Sequence, residues 1–522
     1  MKGEIVMSFM ENLKSEMNNQ TQTTENGAVG FRTTGKKILD INFSITSLRN
    51  RNEREIIDKF MDAFYEDKIL AMKWLFYLRD REAIGERRTF RVCLKWLAEN
   101  HPEVTKAVIE LVPFFGRWDD IFVLLDTELK NNVISIIKNQ LATDVENMSN
   151  NKPASLLAKW MPSITTSSVK TKKLAGIIRK KLGMTEKEYR KTLSRLRKYL
   201  DVVEVKMSAK EWENINYSTV PSRANLIYNS AFLKNDEERR RKYLAALQHE
   251  DKNVKINASV LFPHDIVHKY TDGCYRVQKP LDTTLEELWK ALPDYVQGAE
   301  NTICVADGSG SMTSKVGNTK VSCLDVANAL AIYFSERSLG QFKDNYITFS
   351  QNPQLVDFSK VKTLREKIEI ATKHNEVANT NIEAVFGLIL RTAIKKNMKQ
   401  EELPQNILIL SDCEFDFCVT TNATAGSCWE VSRPNQTLFT TFEKEYEQHG
   451  YKIPRLIFWN ICSRTGTIPV KENDLGVALV SGFSPAIVKM VLSNSTDPFE
   501  CLLEQLNTER YAVVENALKD VI

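Results

Sequence analysis

A chain of 522 residues is too long for one compact core, so two or three domains are expected. With 43% hydrophobic and 26% charged residues and a net charge of +4, it is neither a disordered nor a fibrous chain, and only a local basic face could recruit nucleic acid. Nine cysteines in no paired spacing argue against a disulfide framework, and no uncharged stretch nears the roughly 20 residues of a membrane span, so a cytoplasmic setting without a membrane is expected.

Along the chain, residues 1–30 are predicted to be a flexible arm ending in the polar segment Asn18–Gly30. From about residue 50 to 270 the spacing of apolar residues predicts short helices. They include Glu55–Phe64, Lys68–Leu78, Phe90–Glu99, Glu103–Val112, Trp118–Leu125 and Leu129–Asp144, with turn residues such as Pro113 and Gly116 at the joins. Successive short helices read as an α-solenoid or ring of helical pairs spanning residues 31–295. After about residue 296 the texture changes. Short apolar runs (Ile303–Ala306, Tyr346–Phe349, Asn406–Leu410, Arg455–Asn460, Val477–Val480) alternate with helical stretches (Leu324–Ser338, Lys362–Thr372, Ile382–Lys395, Pro485–Leu492). That alternation predicts a doubly wound, mainly parallel α/β domain over 296–522, with its binding crevice beyond the carboxyl ends of the strands.

Three loops at that edge carry oxygen-bearing side chains. Asp307-Gly308-Ser309-Gly310-Ser311 follows the first strand, Thr380 precedes a helix, and Ser411-Asp412 follows the strand 406–410. Two carboxylates and three hydroxyls suit a hard, octahedral cation such as Mg²⁺ or Mn²⁺, leaving a position open to a ligand. A lone ion beside Asp412, Glu414 and Asp416 lacks a base partner, so a non-enzymatic role is expected.

A second feature is charge. Between residues 170 and 198 there are twelve Lys or Arg and two acids, Glu186 and Glu188. Lys170, Lys172, Lys173, Arg179, Lys180 and Lys181 form one group, and Arg190, Lys191 and Arg195 lead a second. Such density attracts a phosphate backbone without reading sequence. Tyr189, Tyr199 and Trp160 are candidate base-stacking platforms. By contrast, Arg239-Arg240-Arg241-Lys242 behind Asp236-Glu237-Glu238 reads as an ordinary helix. Arg79, Arg81, Arg87, Arg88 and Arg117 lie at predicted helix ends and could face a central opening. His264 and His268 have zincin spacing but no Glu base and no third ligand, and Pro263 marks a plain helix start.

The Asp-x-Ser-x-Ser segment, Thr380 and Asp412, in order within about 105 residues, resemble the metal-ion-dependent adhesion site (MIDAS) of von Willebrand factor A domains. The resemblance implies a vWA domain holding Mg²⁺ through Asp307, Ser309, Ser311, Thr380 and Asp412. Helices followed by such a domain resemble the Ro autoantigen (TROVE) group, and more narrowly an uncharacterised TROVE-like branch. Its motifs here include Tyr77-Leu78-Arg79-Asp80, Gly85-Glu86-Arg87-Arg88, Gly116-Arg117-Trp118-Asp119-Asp120 and Phe262-Pro263-His264-Asp265. That kinship implies HEAT-like repeats and a ribonucleoprotein scaffold for small non-coding or misfolded RNA, bound as structured RNA or single-stranded ends. The alternative is a metal-dependent protein-interaction module whose partner offers a carboxylate and which binds no nucleic acid.

Overall fold

The structure, a computed structural model, describes residues 21–24, 29–271, 276–296, 301–317, 319–350, 352–375, 382–414, 436–469, 476–488 and 497–522. Thr380 and Asp416 lie outside them, as does most of the predicted arm. The described part of that arm is ordered: β1 (Thr21–Thr23) pairs antiparallel with β2 (Val29–Phe31), and Phe31 bridges to Ile468. Gly30 makes that approach possible, because a Cβ there would lie 2.4 Å from the Thr467 methyl.

The chain packs as two compact units that are not consecutive stretches of sequence. One comprises residues 1–67, 261–282 and 292–508; the other comprises 68–260, 283–291 and 509–522. The packing therefore divides the chain differently from a cut at residue 295, because segments at both ends and in the middle change sides.

The first unit holds a six-stranded sheet: β3 (Thr302–Asp307), β4 (Asn345–Phe349), β5 (Leu355–Asp357), β6 (Asn406–Ser411), β7 (Arg455–Asn460) and β8 (Val477–Ser481), in the order β5-β4-β3-β6-β7-β8. All pairs are parallel except β4 with the short edge strand β5. β3, β6, β7 and β8 are buried along almost their whole length, as parallel strands covered on both faces must be. The helix Cys323–Arg337 packs on β3, β4 and β6 and is itself buried nearly all round. Its capping-box acid Asp325 also accepts from Thr271 Oγ1 at 2.8 Å and lies 3.0 Å from His268 Nδ1, so His268 ties the helix Pro263–Thr271 to it. His264 packs against Phe262 and Phe483, and both histidines have structural positions.

Residues 37–50 fall within the bounds 31–295 expected for the helical module. They belong instead to the sheet unit. Ile38, Leu39, Ile41 and Phe43 are fully buried, Asn460 Nδ2 donates to the Phe43 carbonyl at 2.8 Å, and Thr46 Oγ1 donates to the Asn460 carbonyl at 3.2 Å.

The second unit is helical: Lys68–Arg79, Arg88–Asn100, Pro102–Val108, Lys130–Ser149, Val169–Lys181, Glu186–Tyr199, Ser222–Asn235, Glu237–Gln248, Thr283–Lys290 and Glu509–Leu518, with shorter turns between them. Trp118–Asp126 forms, but as a 3₁₀ helix rather than an α-helix. The C-terminal helix lies against Lys68–Arg79 through a Lys73–Glu515 ion pair at 2.5 Å and a Tyr511 hydroxyl that donates to Asp80 at 2.9 Å. It is therefore part of the helical unit and not of the sheet. Arg240 is wholly buried, shared between Asn225 and Asn229 and enclosed by the rings of Tyr217, Phe232 and Tyr243, while Arg239 and Arg241 pair with the flanking acids Asp236 and Glu237 and Lys242 is exposed.

Candidate functional site

The strand order reverses at β3, with β4 on one side and β6 on the other, and the crevice of an open α/β sheet lies at such a switch. The register sets Ala306 beside Leu410, so Asp307 and Ser411 end adjacent strands side by side. Ser411 Oγ donates to Asp307 Oδ2 at 2.6 Å, and the Ser309 amide donates to Asp307 Oδ1 at 2.9 Å. Ser309 Oγ and Ser311 Oγ are 2.9 Å apart, and the Ser311 hydroxyl reaches the Asp412 carboxylate. The first and third predicted loops therefore meet.

Asp307 and Asp412 are 1% and 2% exposed. Burial first, and then the charge of Asp307, push the Asp412 carboxyl up to about 7. Its Oδ1 accepts from the Glu414 amide at 3.2 Å, whereas its buried Oδ2 has no hydrogen-bond partner among the described residues and lies 3.6 Å from Arg464 Nη2. Two close, buried carboxylates, one with an oxygen unsatisfied, beside two convergent hydroxyls are a donor set that a hard dication fits. The residues that would hold Mg²⁺ are Asp307, Ser309, Ser311 and Asp412.

Sequence reasoning placed Ser411 beside Asp412 without giving it a role, and it missed Arg464, for which the sequence holds no signal. That arginine is placed by Glu414, whose Oε1 accepts from the Ser463 hydroxyl (2.9 Å) and from the amides of Arg464 (2.7 Å) and Thr465 (2.8 Å). Glu414 therefore pins the 463–465 loop.

On the helical unit, Val169–Lys181 is capped by Ser168, and Glu186–Tyr199 by a Thr185–Glu188 capping box. Both acids of the stretch sit in the first turn of the second helix, where the dipole favours them. Tyr189, Leu193 and Leu196 face inward, and Lys170, Lys172, Lys173, Lys180, Lys181, Lys187, Arg190, Lys191, Arg195 and Lys198 are exposed. Arg179 differs: it is half-buried and donates to the Met184 carbonyl at 2.8 Å. Arg197 braces the carbonyls of Ala158 and Met161. Tyr189 and Trp160 do not stand open as stacking platforms, and Tyr199 is half-buried with its hydroxyl engaged. Tyr189 is buried with its hydroxyl on the Pro162 carbonyl, Tyr199 donates to the Lys152 carbonyl, and the Arg117 guanidinium covers Trp160 at 3.7 Å.

Nor do the helix-end arginines all face an opening. Arg79 is 3% exposed, with Nε and Nη2 each 2.7 Å from Asp120 Oδ2. Gly116 permits the pair, because a Cβ there would lie 2.6 Å from that oxygen. Arg117 is paired with Asp119, whereas Arg81, Arg87 and Arg88 are exposed. No helix among the described residues is long and apolar enough to cross a membrane.

Among known proteins, the chain is 28% identical to "Uncharacterized protein L728" of Acanthamoeba polyphaga mimivirus, covering 92% of this chain and 86% of that one. A crystal structure of the Deinococcus radiodurans RO (RSR) protein aligns with 85% of this chain and 91% of that one, at 14% identity and a TM-score of 0.40. Residues 301–518 match a domain of unknown function, DUF7788. Residues 24–115 and 127–299, half of the chain, match another domain of unknown function, DUF2828, and the chain belongs to the DUF2828 family.

Proposed function

We propose that this protein is a non-enzymatic RNA-binding scaffold whose sheet unit carries a divalent-cation site of the MIDAS type. The observation that carries the reading is the exposed basic face of helices 169–181 and 186–199, whose two acids are confined to one helix start. Phosphate neutralised by these side chains releases counterions, so the attraction is strong at low salt and independent of base sequence. With the candidate platforms occupied by internal contacts, backbone charge rather than stacking carries the affinity. Small non-coding or misfolded RNA, held within a ribonucleoprotein, is the ligand class that the sequence resemblance to the TROVE group implies.

Asp307, Ser309, Ser311 and Asp412, with Thr380 as the sequence adds it, would hold Mg²⁺ or Mn²⁺. The bound ion supplies a positive charge able to take a carboxylate. Asp307 is oriented for this by Ser411 and the Ser309 amide, and Asp412 by Ser311 and the Glu414 amide.

The test replaces Lys172, Lys173, Lys180 and Lys181 with Glu. Single-stranded RNA binding should be lost at physiological salt, with the circular dichroism unchanged. Neutral Gln replacements at the same four positions should lower the slope of log affinity against log salt by about 3. Unchanged affinity removes this face from the reading. Asp307→Ala should abolish Mn²⁺ binding in calorimetry and leave filter-bound RNA unaltered. A second reading, a protein-interaction module without RNA, rests on the unsatisfied Oδ2 of Asp412. It gains if no RNA binds while a carboxylate-bearing peptide binds only with Mg²⁺.

A further inference from the structure

The loop after β7 carries a positive charge to the pair of acids at the sheet edge, and it carries it on a fixed backbone. Glu414, itself 2% exposed, accepts from the Ser463 hydroxyl, from the amides of Arg464 and Thr465, and from the Thr465 hydroxyl, which lies 3.0 Å from each of its oxygens. The turn is braced from within, where the Gly466 amide donates to Ser463 Oγ at 2.8 Å, and from the N-terminal segment, where the Arg51 guanidinium donates to the Arg464 carbonyl. Both backbone polar groups of Arg464 are thus held, the amide by Glu414 and the carbonyl by Arg51. Its side chain is 33% exposed and is the part that can move.

That side chain ends beside an incompletely satisfied carboxylate. Arg464 Nη2 stands 3.6 Å from Asp412 Oδ2, which is buried and has no hydrogen-bond partner among the described residues. A charge-assisted hydrogen bond closes to about 2.7–2.9 Å, so this pair attracts by charge without bonding. Elsewhere the same chain does close such a pair: Arg79 Nε lies 2.7 Å from Asp120 Oδ2. A pair that serves folding alone gains by closing. One that stays open offsets part of the acid's charge and leaves the oxygen available to another cation.

We propose that Arg464 is the counter-ion of Asp412 in the metal-free chain and competes with a divalent cation for that carboxylate, so that its charge sets how tightly the metal is held. The competition rests on the divalent-cation reading above. A guanidinium keeps its charge at any working pH. A dication held by Asp412 therefore shares that acid with Arg464, and two cations on one buried carboxylate repel. Arg464 weakens the site for metal and lowers the cost of leaving it without one. The exposed third of its side chain lets the guanidinium turn towards water when the metal enters.

Calorimetric titration of the full chain with Mn²⁺, after chelator treatment, tests this. Arg464→Gln should bind Mn²⁺ about tenfold more tightly than the parent, as loss of one partly screened charge allows. Arg464→Met, which keeps the apolar stem, should do the same and serves if the Gln variant does not fold. Arg464→Lys keeps the charge and should stay near the parent. An arginine that only braces the loop predicts the opposite, because its loss would loosen the site and weaken the metal. Heat from the neutral variants where the parent gives none supports the proposal. Equal or weaker affinity in the folded neutral variants overturns it and leaves the metal reading standing. No heat from the parent or any variant defeats the metal reading, and the competition with it. In chelator, Arg464→Gln should lower the urea midpoint of the parent but not of Asp412→Asn, where no charge is left to offset; equal losses in the two backgrounds also overturn the proposal.

Discussion

Two charged clusters, one on each unit, handle burial in opposite ways. At the ends of β3 and β6, Asp307 and Asp412 are buried together, and Arg464 Nη2 stays 3.6 Å from Asp412. Around Gly116 Asp120 is also buried, but it is bonded on both oxygens by Arg79 and Arg91. The first cluster sets two buried acids together and leaves one oxygen of Asp412 without a hydrogen bond among the described residues, and the second bonds its buried acid on both oxygens. A fold tolerates such imbalance at a cost, because buried like charges repel in a medium that screens them poorly. Where the imbalance is kept, its sign points to the ligand: a cation at the sheet edge.

The comparison breaks most visibly at Asp120. Asp120→Ala strips the buried Arg79 of its partner and should cost about 3–5 kcal/mol, read as a lowered urea midpoint with unchanged slope. A loss within 1 kcal/mol would mean that the cluster is not a structural knot.

The sheet-edge cluster predicts a pH dependence. Asp412 titrates at about 7 in the folded chain against 3.8 ordinarily, so the folded state holds its proton more tightly. Asp412 therefore does not oppose folding below about pH 4, opposes it increasingly as pH rises toward 7, and opposes it fully above that. The penalty at pH 8 without divalent ions is at most about 4 kcal/mol, since a tenfold difference in proton affinity is worth about 1.4 kcal/mol. Asp412→Asn should thus be more stable than the parent at pH 8 in chelator, and the difference should vanish at pH 4. Mg²⁺ should restore stability to the parent alone. Equal pH profiles for the two chains would show that the carboxylates do not repel.

The smallest effect sharpens the basic face. Thr185→Ala removes half of a capping box and should cost about 1 kcal/mol. By loosening the first turn of the helix 186–199 without altering its cations, it should weaken RNA binding only a few-fold in filter assays. A loss as large as that of the four Lys→Glu changes would mean that helix geometry, not charge, governs binding.

Much of this was legible in the sequence because it is local. The strands at 303–306, 346–349, 406–410, 455–460 and 477–480 are continuous apolar runs, and each forms within a residue or so of the expected bounds. The helices at 68–79, 88–100 and 130–149 follow their apolar spacing. The convergence of Asp307, Ser309, Ser311 and Asp412 was readable because a parallel sheet delivers its strand ends to one edge. The predicted arm failed at residues 21–23 because a polar composition does not reveal a strand partner eight residues away. β5 escaped notice because three residues, two of them exposed, carry no period.

The sequence by itself determined the elements, their order, the loops that bear the acids and hydroxyls, and the density of cations on helices 169–181 and 186–199, because propensity and periodicity act over a few residues. Only the tertiary structure decided which charges answer which. That Arg79, Arg91 and Arg117 serve Asp119 and Asp120, that Arg464 is brought to Asp412 by Glu414, that residues 37–50 pack on the sheet and that 509–518 pack on Lys68–Arg79 all depend on contacts between distant segments. Electrostatic energy depends on those separations in space, and spacing along the chain does not encode them.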